Sequence, residues 1–377
     1  FDTINHDLLI AKLKVYGFSD SALHIVKDYL SDRWQRTKIN TSFSDWKELL
    51  CGVPQGSVLG PLLFNIYLND LFYLFVNTHP TNFADDTTQS ACDVNLEDLL
   101  HNLEDETLTA ILWFDYNFMK LNQSKCHFLF CGDRDMNQAM SLWVKVGDAM
   151  IWESRTQKLL GITVDKYLKF NEHLRIICKK VGAKISALGR VVRILPFHKR
   201  LLIMKTFIES QFSYCPLVWM FCSCTMNTKI NHLHDRALRL VYDDYTSTYE
   251  ELLCKDKSMC FHHKNIHLVA IEVYKAKNNL SPSFMKEIFV TAETRETRAG
   301  DHLVAPHVKN VNTGERTLRN FGAIVWNDML PKELKSCATL QSFKNSIKTW
   351  IPDNCDCVLC RVNVKGVGRI KKSEIYE

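Results

Sequence analysis

Apolar residues recur at helical spacing over long stretches of this chain and at strand spacing over short ones. Residues 7–30 carry leucines at helical intervals on both sides of Gly17, which predicts two helices with a break between them. Residues 37–50 alternate between polar and apolar positions, which indicates a hairpin. The short apolar stretches 127–131 and 158–164 are predicted to be strands.

Further helices are predicted along the rest of the chain. Pro61 is well placed as the first residue of an apolar helix, because the first helical position needs no backbone N–H. A leucine-rich helix is expected over 96–112, mainly helical structure over 167–242, an amphipathic helix over 259–277, and a last element over 318–351. Helices combined with short strands predict an α+β fold.

Length and charge refine this prediction. The chain has 377 residues, of which 46% are hydrophobic, so two or three domains are expected. Residues 1–150 hold 11 Lys/Arg against 20 Asp/Glu, whereas residues 165–240 hold 14 against 4. An acidic part that collects divalent cations and a basic part that holds phosphates suit a nucleic-acid polymerase. A charge run also marks an ordinary solvated helix face.

Cysteine usage and hydropathy bear on the compartment. Fourteen cysteines at irregular spacing, without a secretory signal segment, indicate reduced thiols in an intracellular protein of the nucleus or cytoplasm. No apolar run approaches the roughly 20 residues of a membrane helix, so no membrane association is expected. The chain begins with Phe1 instead of methionine, which indicates a fragment.

The most informative polar pattern is Phe83-Ala84-Asp85-Asp86. Two adjacent carboxylates on a tight turn repel each other unless a cation is shared between them. Asp-Asp pairs also occur in ordinary solvated turns. Magnesium prefers hard oxygen ligands, and phosphoryl transfer commonly uses two metal ions about 3.5–4 Å apart.

A second motif, Gly52 to Pro61, lies about thirty residues upstream of the aspartates. Its glycines allow closer backbone approach than any side chain permits, and Gln55 offers both a donor and an acceptor. These properties suit a loop that contacts substrate. The alternative is an ordinary turn before a buried helix.

Two cysteine and histidine patterns are weak candidates for metal binding. His263 and His267 lie four residues apart on a predicted helix, but Lys264 occupies the place of a catalytic glutamate, so surface histidines are expected. Cys355, Cys357 and Cys360 lack a nearby fourth ligand, so zinc is not expected.

These motifs, in this order and spacing, resemble the reverse transcriptase of a non-LTR, LINE-type retrotransposon. The resemblance covers most of the chain. The matching segments are Phe1 to Leu9 for the first palm motif, Gly52 to Pro61 for the second, Phe83 to Asp86 for the third, Leu121 to Lys125 for the fourth, Leu159 to Gly161 for the primer grip, and further stretches at 210–219 and 321–351.

The resemblance implies roles for individual residues. Asp85 and Asp86 are expected at the catalytic metal site, with Asp85 as a ligand, and Lys125 is expected to assist the leaving pyrophosphate. Phe1 is expected to screen the sugar 2′-hydroxyl of the incoming nucleotide. Nucleotide or template contacts are expected at Gln55 and Gly56, and primer-grip contacts at Leu160 and Gly161.

One departure from the family pattern affects the expected activity. The family's first metal-binding aspartate lies five residues before the position of Phe1, and Asp2 is not that ligand. The resemblance therefore implies a chain truncated within the first palm motif, without fingers or endonuclease. Its two-metal magnesium site is incomplete, so the fragment is expected to be inactive alone.

The resemblance also implies a domain order. An incomplete palm is expected at 1–165, a basic helical thumb at 166–255, and a helical C-terminal extension at 256–377 with a flexible connector near 291–314. The expected partners are an RNA template, a DNA primer and deoxynucleoside triphosphates. The sequence leaves two alternatives open: a noncatalytic nucleic-acid-binding remnant, and a partial palm that does not fold.

Overall fold

The structure is a computed structural model that describes residues 1–131, 141–290, 302–306 and 317–350. The chain divides into two compact units, Phe1–Arg155 and Thr156–Glu377. Each unit has hydrophobic core clusters formed by its own residues. We describe the units separately, as unit 1 and unit 2.

Unit 1 begins with the two predicted helices, α1 (His6–Val15) and α2 (Asp20–Leu30). Asn5 caps α1 by accepting a 2.9 Å hydrogen bond from the Leu8 N–H, and Gly17 follows its C-terminal end with φ of 85°. The predicted hairpin follows as a ribbon of four short strands, β1 (Trp34–Gln35), β2 (Lys38–Ile39), β3 (Ser42–Phe43) and β4 (Lys47–Glu48). Strand β1 pairs with β4, and β2 pairs with β3.

The rest of unit 1 alternates helices with hairpins. These elements are α3 (Leu59–Leu68), β5 (His79–Phe83), β6 (Asp86–Ser90), α4 (Leu96–Tyr116), β7 (Trp143–Val146) and β8 (Ala149–Trp152). The first helix and α3 contribute Leu9, Leu13, Phe64 and Tyr67 to the core, and α4 contributes Trp113. This packing fixes the second motif, which leads into α3, against the start of the chain.

Unit 2 opens with the β9–β10 hairpin and continues as helices. The strands are β9 (Thr156–Leu159) and β10 (Ile162–Asp165), and the helices are α5 (Asn171–Val191), α6 (Phe197–Ile203), α7 (Pro216–Trp219), α8 (Cys224–Tyr242), α9 (Tyr249–Asp256), α10 (Phe261–Lys277), α11 (Ser283–Ile288), α12 (Leu318–Ile324), α13 (Lys332–Lys335) and α14 (Leu340–Ser346). One core cluster includes buried residues of both α5 and α8, such as Val181 and Leu238. A second cluster joins α10 to the helices after residue 317.

The mixture of helices and short strands confirms the α+β prediction, but the strands differ in detail. Among the described residues, the strands form two-stranded antiparallel sheets. Residues 127–131 do not form the predicted strand, because only Phe128 makes an isolated bridge, to Glu153. Residues 158–164 are not one strand, because the chain reverses at Leu160 and Gly161. Apolar character marks such segments as buried, but it does not specify where they turn.

Two helix predictions also need correction. The third helix starts at Leu59, two residues before Pro61. The last predicted element is divided into several short helices, and Pro331, which has no N–H to continue a helix, stands at the break before α13. Most of the predicted connector at 291–314 lies outside the described residues, and the predicted boundaries at 165 and 255 remain predictions. None of the described helices combines the length and the apolar character needed to cross a membrane.

Candidate functional site

Asp85 and Asp86 lie at the tip of the β5–β6 hairpin. Phe83 pairs with Asp86, so Ala84 and Asp85 form the two-residue turn. Ala84 has φ of 54°, in the left-handed region that tight hairpin turns use. Both aspartates are exposed, and no donor or cation among the described residues contacts either carboxylate. The tip therefore presents two adjacent carboxylates that no described donor or cation contacts.

A buried carboxylate fastens the base of this hairpin to α4. Glu106 is 7% exposed and accepts hydrogen bonds from the Val76, Asn77 and Thr78 N–H groups at 2.9, 2.6 and 3.0 Å. The Thr78 hydroxyl donates a fourth, at 2.6 Å. Burial alone raises the pKa of Glu106, but these hydrogen bonds outweigh burial and lower it. The carboxylate therefore stays ionised and holds the chain that enters β5.

The second strand of the hairpin is tied to the same network. The Gln89 amide donates to Thr78 Oγ1 at 2.9 Å, and its oxygen accepts from Thr107 Oγ1 at 2.8 Å. Sequence reasoning did not identify Glu106. Its signal in the sequence is a glutamate three residues after Leu103, at a position where the leucine periodicity of α4 predicts an apolar side chain.

The first and second motifs meet around an open pocket of about 300 Å³. The ring of Phe1 stacks on Phe64 with centroids 4.4 Å apart. The Gln55 amide donates to the two Asp2 carboxylate oxygens at 2.9 and 3.1 Å. The pocket is lined by Phe1, Pro54, Gln55, Gly56, Ser57, Gly60 and Pro61. Phe1, Gln55 and Gly56, all predicted to contact nucleotide or template, therefore share one pocket.

Gly52 and Gly56 serve this loop differently. Gly52 has φ of 84°, and a Cβ there would lie 2.9 Å from the Asp2 backbone. Its N–H donates to the Ile4 carbonyl at 2.8 Å, and its carbonyl lies 2.8 Å from His6 Nε2. Gly56 has φ of 78°, but no atom lies within 4 Å of its Cβ position. Gly52 thus joins the two motifs, whereas Gly56 leaves one side of the loop open.

The other predicted site residues lie on separate elements. Lys125 is exposed at the end of a short 3₁₀ helix, Gln123–Lys125. Within the described part of the chain, neither Lys125 nor the Asp85–Asp86 pair lines the pocket. All four predicted palm motifs lie within unit 1, although their residues are on separate elements.

Leu160 and Gly161 form the turn of the β9–β10 hairpin in unit 2. Their φ angles are 45° and 87°, as expected for a two-residue turn with both central residues left-handed. The Tyr214 hydroxyl donates a hydrogen bond to the Leu160 carbonyl. A Cβ at Gly161 would lie 3.4 Å from the Tyr214 ring, so Tyr214 packs directly on the turn.

The histidine and cysteine patterns take different places. His267 is buried, stacks on Trp350 and has Nε2 2.7 Å from the Trp350 carbonyl oxygen, so the expectation that it is a surface histidine is wrong. Packing of α10 against the last helices encloses it. Cys355, Cys357 and Cys360 lie outside the described residues. Among those described, no three His, Cys, Asp or Glu side chains gather as a metal site.

The first part of the chain is similar to a known protein family. Residues 1–164 match the model of the family described as reverse transcriptase (RNA-dependent DNA polymerase). The chain is 24% identical over 253 residues to a probable RNA-directed DNA polymerase from transposon BS of Drosophila melanogaster, covering 64% of this chain and 28% of that protein. The corresponding protein from transposon X-element of the same organism is 24% identical, covering 64% of this chain and 27% of its own length.

A third relative is the RNA-directed DNA polymerase from mobile element jockey of Drosophila melanogaster, 24% identical over 204 residues. The match covers 51% of this chain and 21% of that protein. The chain thus spans less than a third of the length of these relatives. Residues 1–164 are similar to the reverse transcriptase family, and the chain resembles the RNA-directed DNA polymerases of non-LTR, LINE-type retrotransposons.

Proposed function

We propose that a protein containing this chain extends a DNA primer on an RNA template, using deoxynucleoside triphosphates and magnesium. The observation that carries this proposal is the exposed Asp85–Asp86 pair at a hairpin tip, without a protein cation among the described residues. Two adjacent carboxylates repel each other, and a metal ion bound between them relieves this repulsion. In the same unit, Phe1 and Gln55 line a pocket open to a nucleotide.

The donor chemistry fits magnesium in part. Carboxylate oxygens are its preferred protein ligands, and magnesium retains several waters, so a few aspartates suffice. Fewer than three candidate ligands gather among the described residues, so Asp85 and Asp86 supply part of a site. The family pattern places a further aspartate before Phe1. Magnesium, when bound, stabilises the charge that develops on the transferred phosphoryl group.

The chain's own residues then position the reactants. Asp85 would hold the magnesium ion, and Asp86 would add a second negative charge beside it. Phe1 packs against the sugar and excludes a 2′-hydroxyl, while Gln55 hydrogen-bonds to nucleotide or template. The open side of Gly56 admits a base or sugar at backbone distance. Lys125 assists departure of pyrophosphate by neutralising its charge.

We extend this proposal to the domain order. Residues 1–165 act as the palm, residues 166–255 as the thumb, and residues 256–377 as a C-terminal extension. The Leu160–Gly161 turn acts as a primer grip. Its support is an exposed two-residue turn whose Leu160 carbonyl accepts a hydrogen bond from the Tyr214 hydroxyl.

Primer extension tests the polymerase proposal. The assay uses an RNA template with an annealed DNA primer, on the chain and on a version extended upstream through the first motif. We expect Asp85→Asn to reduce extension by the extended version by about 100-fold or more, because a metal ligand contributes several kcal/mol. The matched control is Asp148→Asn, which changes an exposed aspartate at the turn of the β7–β8 hairpin.

Equal activity of the two variants would overturn the role of Asp85. Inactivity of the extended protein under all magnesium concentrations would overturn the polymerase proposal itself. Binding of Mn²⁺, measured by electron paramagnetic resonance, gives a readout that does not depend on turnover. We expect Asp85→Asn to weaken this binding and Asp148→Asn to leave it unchanged.

A noncatalytic nucleic-acid-binding function is the second candidate, favoured by the charge of unit 2. Residues 165–240 hold 14 Lys/Arg against 4 Asp/Glu. Lys179, Lys180 and Arg190 are exposed on α5. Phosphate binding by such residues makes affinity fall steeply with salt. Affinity for an RNA/DNA hybrid that does not change between low and high salt would contradict this function.

A further inference from the structure

The ribbon formed by residues 34–48 is exposed along its whole length. Every residue from Trp34 to Glu48 is exposed, and the side chains include three large aromatic rings. Trp34 and Trp46 are each 56% exposed, and Phe43 is 50% exposed. A two-stranded ribbon is marginally stable in water by itself, and exposed aromatic clusters mark interaction surfaces. We call this segment the aromatic ribbon.

Cations and aromatic rings share one face of the aromatic ribbon. The Arg36 guanidinium carbon lies 4.0 Å from the Phe43 ring centroid and 4.6 Å from that of Trp46. Lys38 Nζ lies 5.2 Å from the Phe43 centroid. Trp34 lies two residues before Arg36, and the strand register places Glu48 directly opposite Trp34 on the same face.

Neither cation on this face has a carboxylate partner. Within the described ranges, no ion pair includes Arg36 or Lys38. The register pairs Gln35 with Lys47, which places Lys47 on the opposite face from Trp34. Arg36 and Lys38 lie beside exposed aromatic rings. Such a surface is complementary to a ligand in which negative charges alternate with flat apolar groups.

We propose that this face of the aromatic ribbon binds single-stranded nucleic acid. Bases stack on Trp34, Phe43 and Trp46, and phosphates contact Arg36 and Lys38. Aromatic platforms with a cationic track are the general chemistry of single-strand binding. Duplex bases are already stacked on each other, so a duplex offers phosphates but no free base faces. The proposal rests on the proposed function, because a template-copying protein must hold an unpaired strand.

Fluorescence anisotropy with labelled oligo(U) and oligo(dT) of about 12 nucleotides tests the proposal. We expect Trp34→Ala and Trp46→Ala each to weaken binding by about tenfold, the loss typical of one stacked base. The matched control is Trp152→Ala, because Trp152 is 55% exposed on the β7–β8 hairpin of the same unit. Comparing the RNA and DNA oligonucleotides shows which strand is preferred.

The charge on this face has its own control. Arg36→Gln should weaken binding and reduce the dependence of affinity on salt by about one phosphate contact. Lys47→Gln, which removes a cation from the opposite face, should change affinity by less than about threefold. Because every altered side chain is exposed, cooperative melting of each variant should match that of the unaltered chain.

Ultraviolet cross-linking to iodouracil-containing oligonucleotides locates the contact. We expect cross-links in the tryptic peptide Ile39–Lys47. Cross-links confined to other peptides, or equal losses in Trp46→Ala and Trp152→Ala, would overturn the proposal. Dimerisation that Trp34→Ala and Trp46→Ala abolish, without any effect on oligonucleotide binding, would instead identify a second copy as the occupant.

These outcomes separate this proposal from the proposed polymerase function. Primer extension that depends on Asp85, together with oligonucleotide binding that ignores the aromatic ribbon, would overturn only this inference. Loss of oligonucleotide binding in Trp46→Ala, in an extended protein without polymerase activity, would support this inference and overturn the polymerase.

Discussion

Single glycines show most directly how residue chemistry shapes the candidate site. Gly52, Gly56 and Gly17 all have φ between 78° and 85°, where other residues are strained. They differ in surroundings, because only the Cβ position of Gly52 falls against other backbone, that of Asp2 at 2.9 Å. Neither of the others has an atom within 4 Å of this position. The three positions therefore separate backbone strain from steric contact.

We predict that Gly52→Ala destabilises the protein more than Gly56→Ala. Left-handed strain costs each variant about 1–2 kcal/mol, and Gly52→Ala adds displacement of the Asp2 backbone. Gly17→Ala measures the left-handed backbone strain alone, because no atom lies within 4 Å of the Gly17 Cβ position. Urea unfolding of the three variants checks the order, and equal destabilisation of Gly52→Ala and Gly56→Ala would contradict it.

The sequence indicated at this scale that the Gly52 to Pro61 loop needs glycine, but it did not distinguish the individual positions. Gly52 and Asp2 lie fifty residues apart, and their approach is decided by the packing of α1 against α3. His267 shows the same limit. Its burial depends on Trp350, which contacts it only in the folded unit.

A buried carboxylate in unit 1 and a partly buried one in unit 2 hold elements together. In unit 1, Glu106 of α4 binds the backbone that enters the Asp85–Asp86 hairpin. In unit 2, Glu209 lies between α8 and α10, with Oε2 3.0 Å from Lys264 Nζ and Oε1 3.5 Å from His234 Nε2. Burial lowers the pKa of His234, although the nearby Glu209 carboxylate raises it.

We predict that Glu106→Gln destabilises the protein by about 1–3 kcal/mol. The glutamine amide NH₂ cannot accept the hydrogen bonds that the Val76, Asn77 and Thr78 N–H groups now give to the two carboxylate oxygens. Asp105→Asn is the control, since that side chain is 69% exposed. Hydrogen exchange of residues 76–90 gives a local readout, and equal protection in both variants would contradict the anchoring role.

We predict that Glu209 stabilises the protein above pH 4.5. Burial raises its pKa, but His234 and Lys264 outweigh burial and lower it from 4.5 to about 2 in the folded state. A lowered folded-state pKa means that the stabilisation is complete above pH 4.5 and is lost as the pH falls from 4.5 to about 2. Its size is on the order of 2–3 kcal/mol.

Urea unfolding across this pH range measures the effect. The stability difference between the unaltered chain and Glu209→Gln should be largest near pH 7 and shrink below pH 4.5. Glu172→Gln is the control, because Glu172 is 43% exposed and pairs with Arg175 within one turn of α5. A difference that does not change with pH would exclude titration of Glu209 as the cause.

At the scale of the whole molecule, the core clusters of each unit consist of residues from that unit alone. Leu9 and Phe64 belong to a cluster within unit 1, and Val181 and Leu238 belong to one within unit 2. A unit with its own hydrophobic core has the main requirement for independent folding. The proposed palm motifs lie in unit 1, and the proposed primer-grip turn lies in unit 2.

We predict that residues 156–377 fold cooperatively when expressed alone. Each buried apolar cluster of this unit is formed by described residues of the unit itself. Thermal unfolding followed by circular dichroism checks this, with a division after Leu188 as the control, because it separates α5 from α8. A broad transition for residues 156–377, no sharper than that of the control, would contradict the prediction.

The sequence by itself determined the motifs, the break at Gly17, the helix periods and the position of the Asp85–Asp86 pair at a turn. These features follow from local propensities and from spacing, which neighbouring residues encode. The tertiary structure decided that Glu106 anchors the hairpin, that Gly52 meets Asp2, and that residues 158–164 reverse direction. Such contacts join residues far apart in the chain or depend on the path of a turn, so no local pattern specifies them.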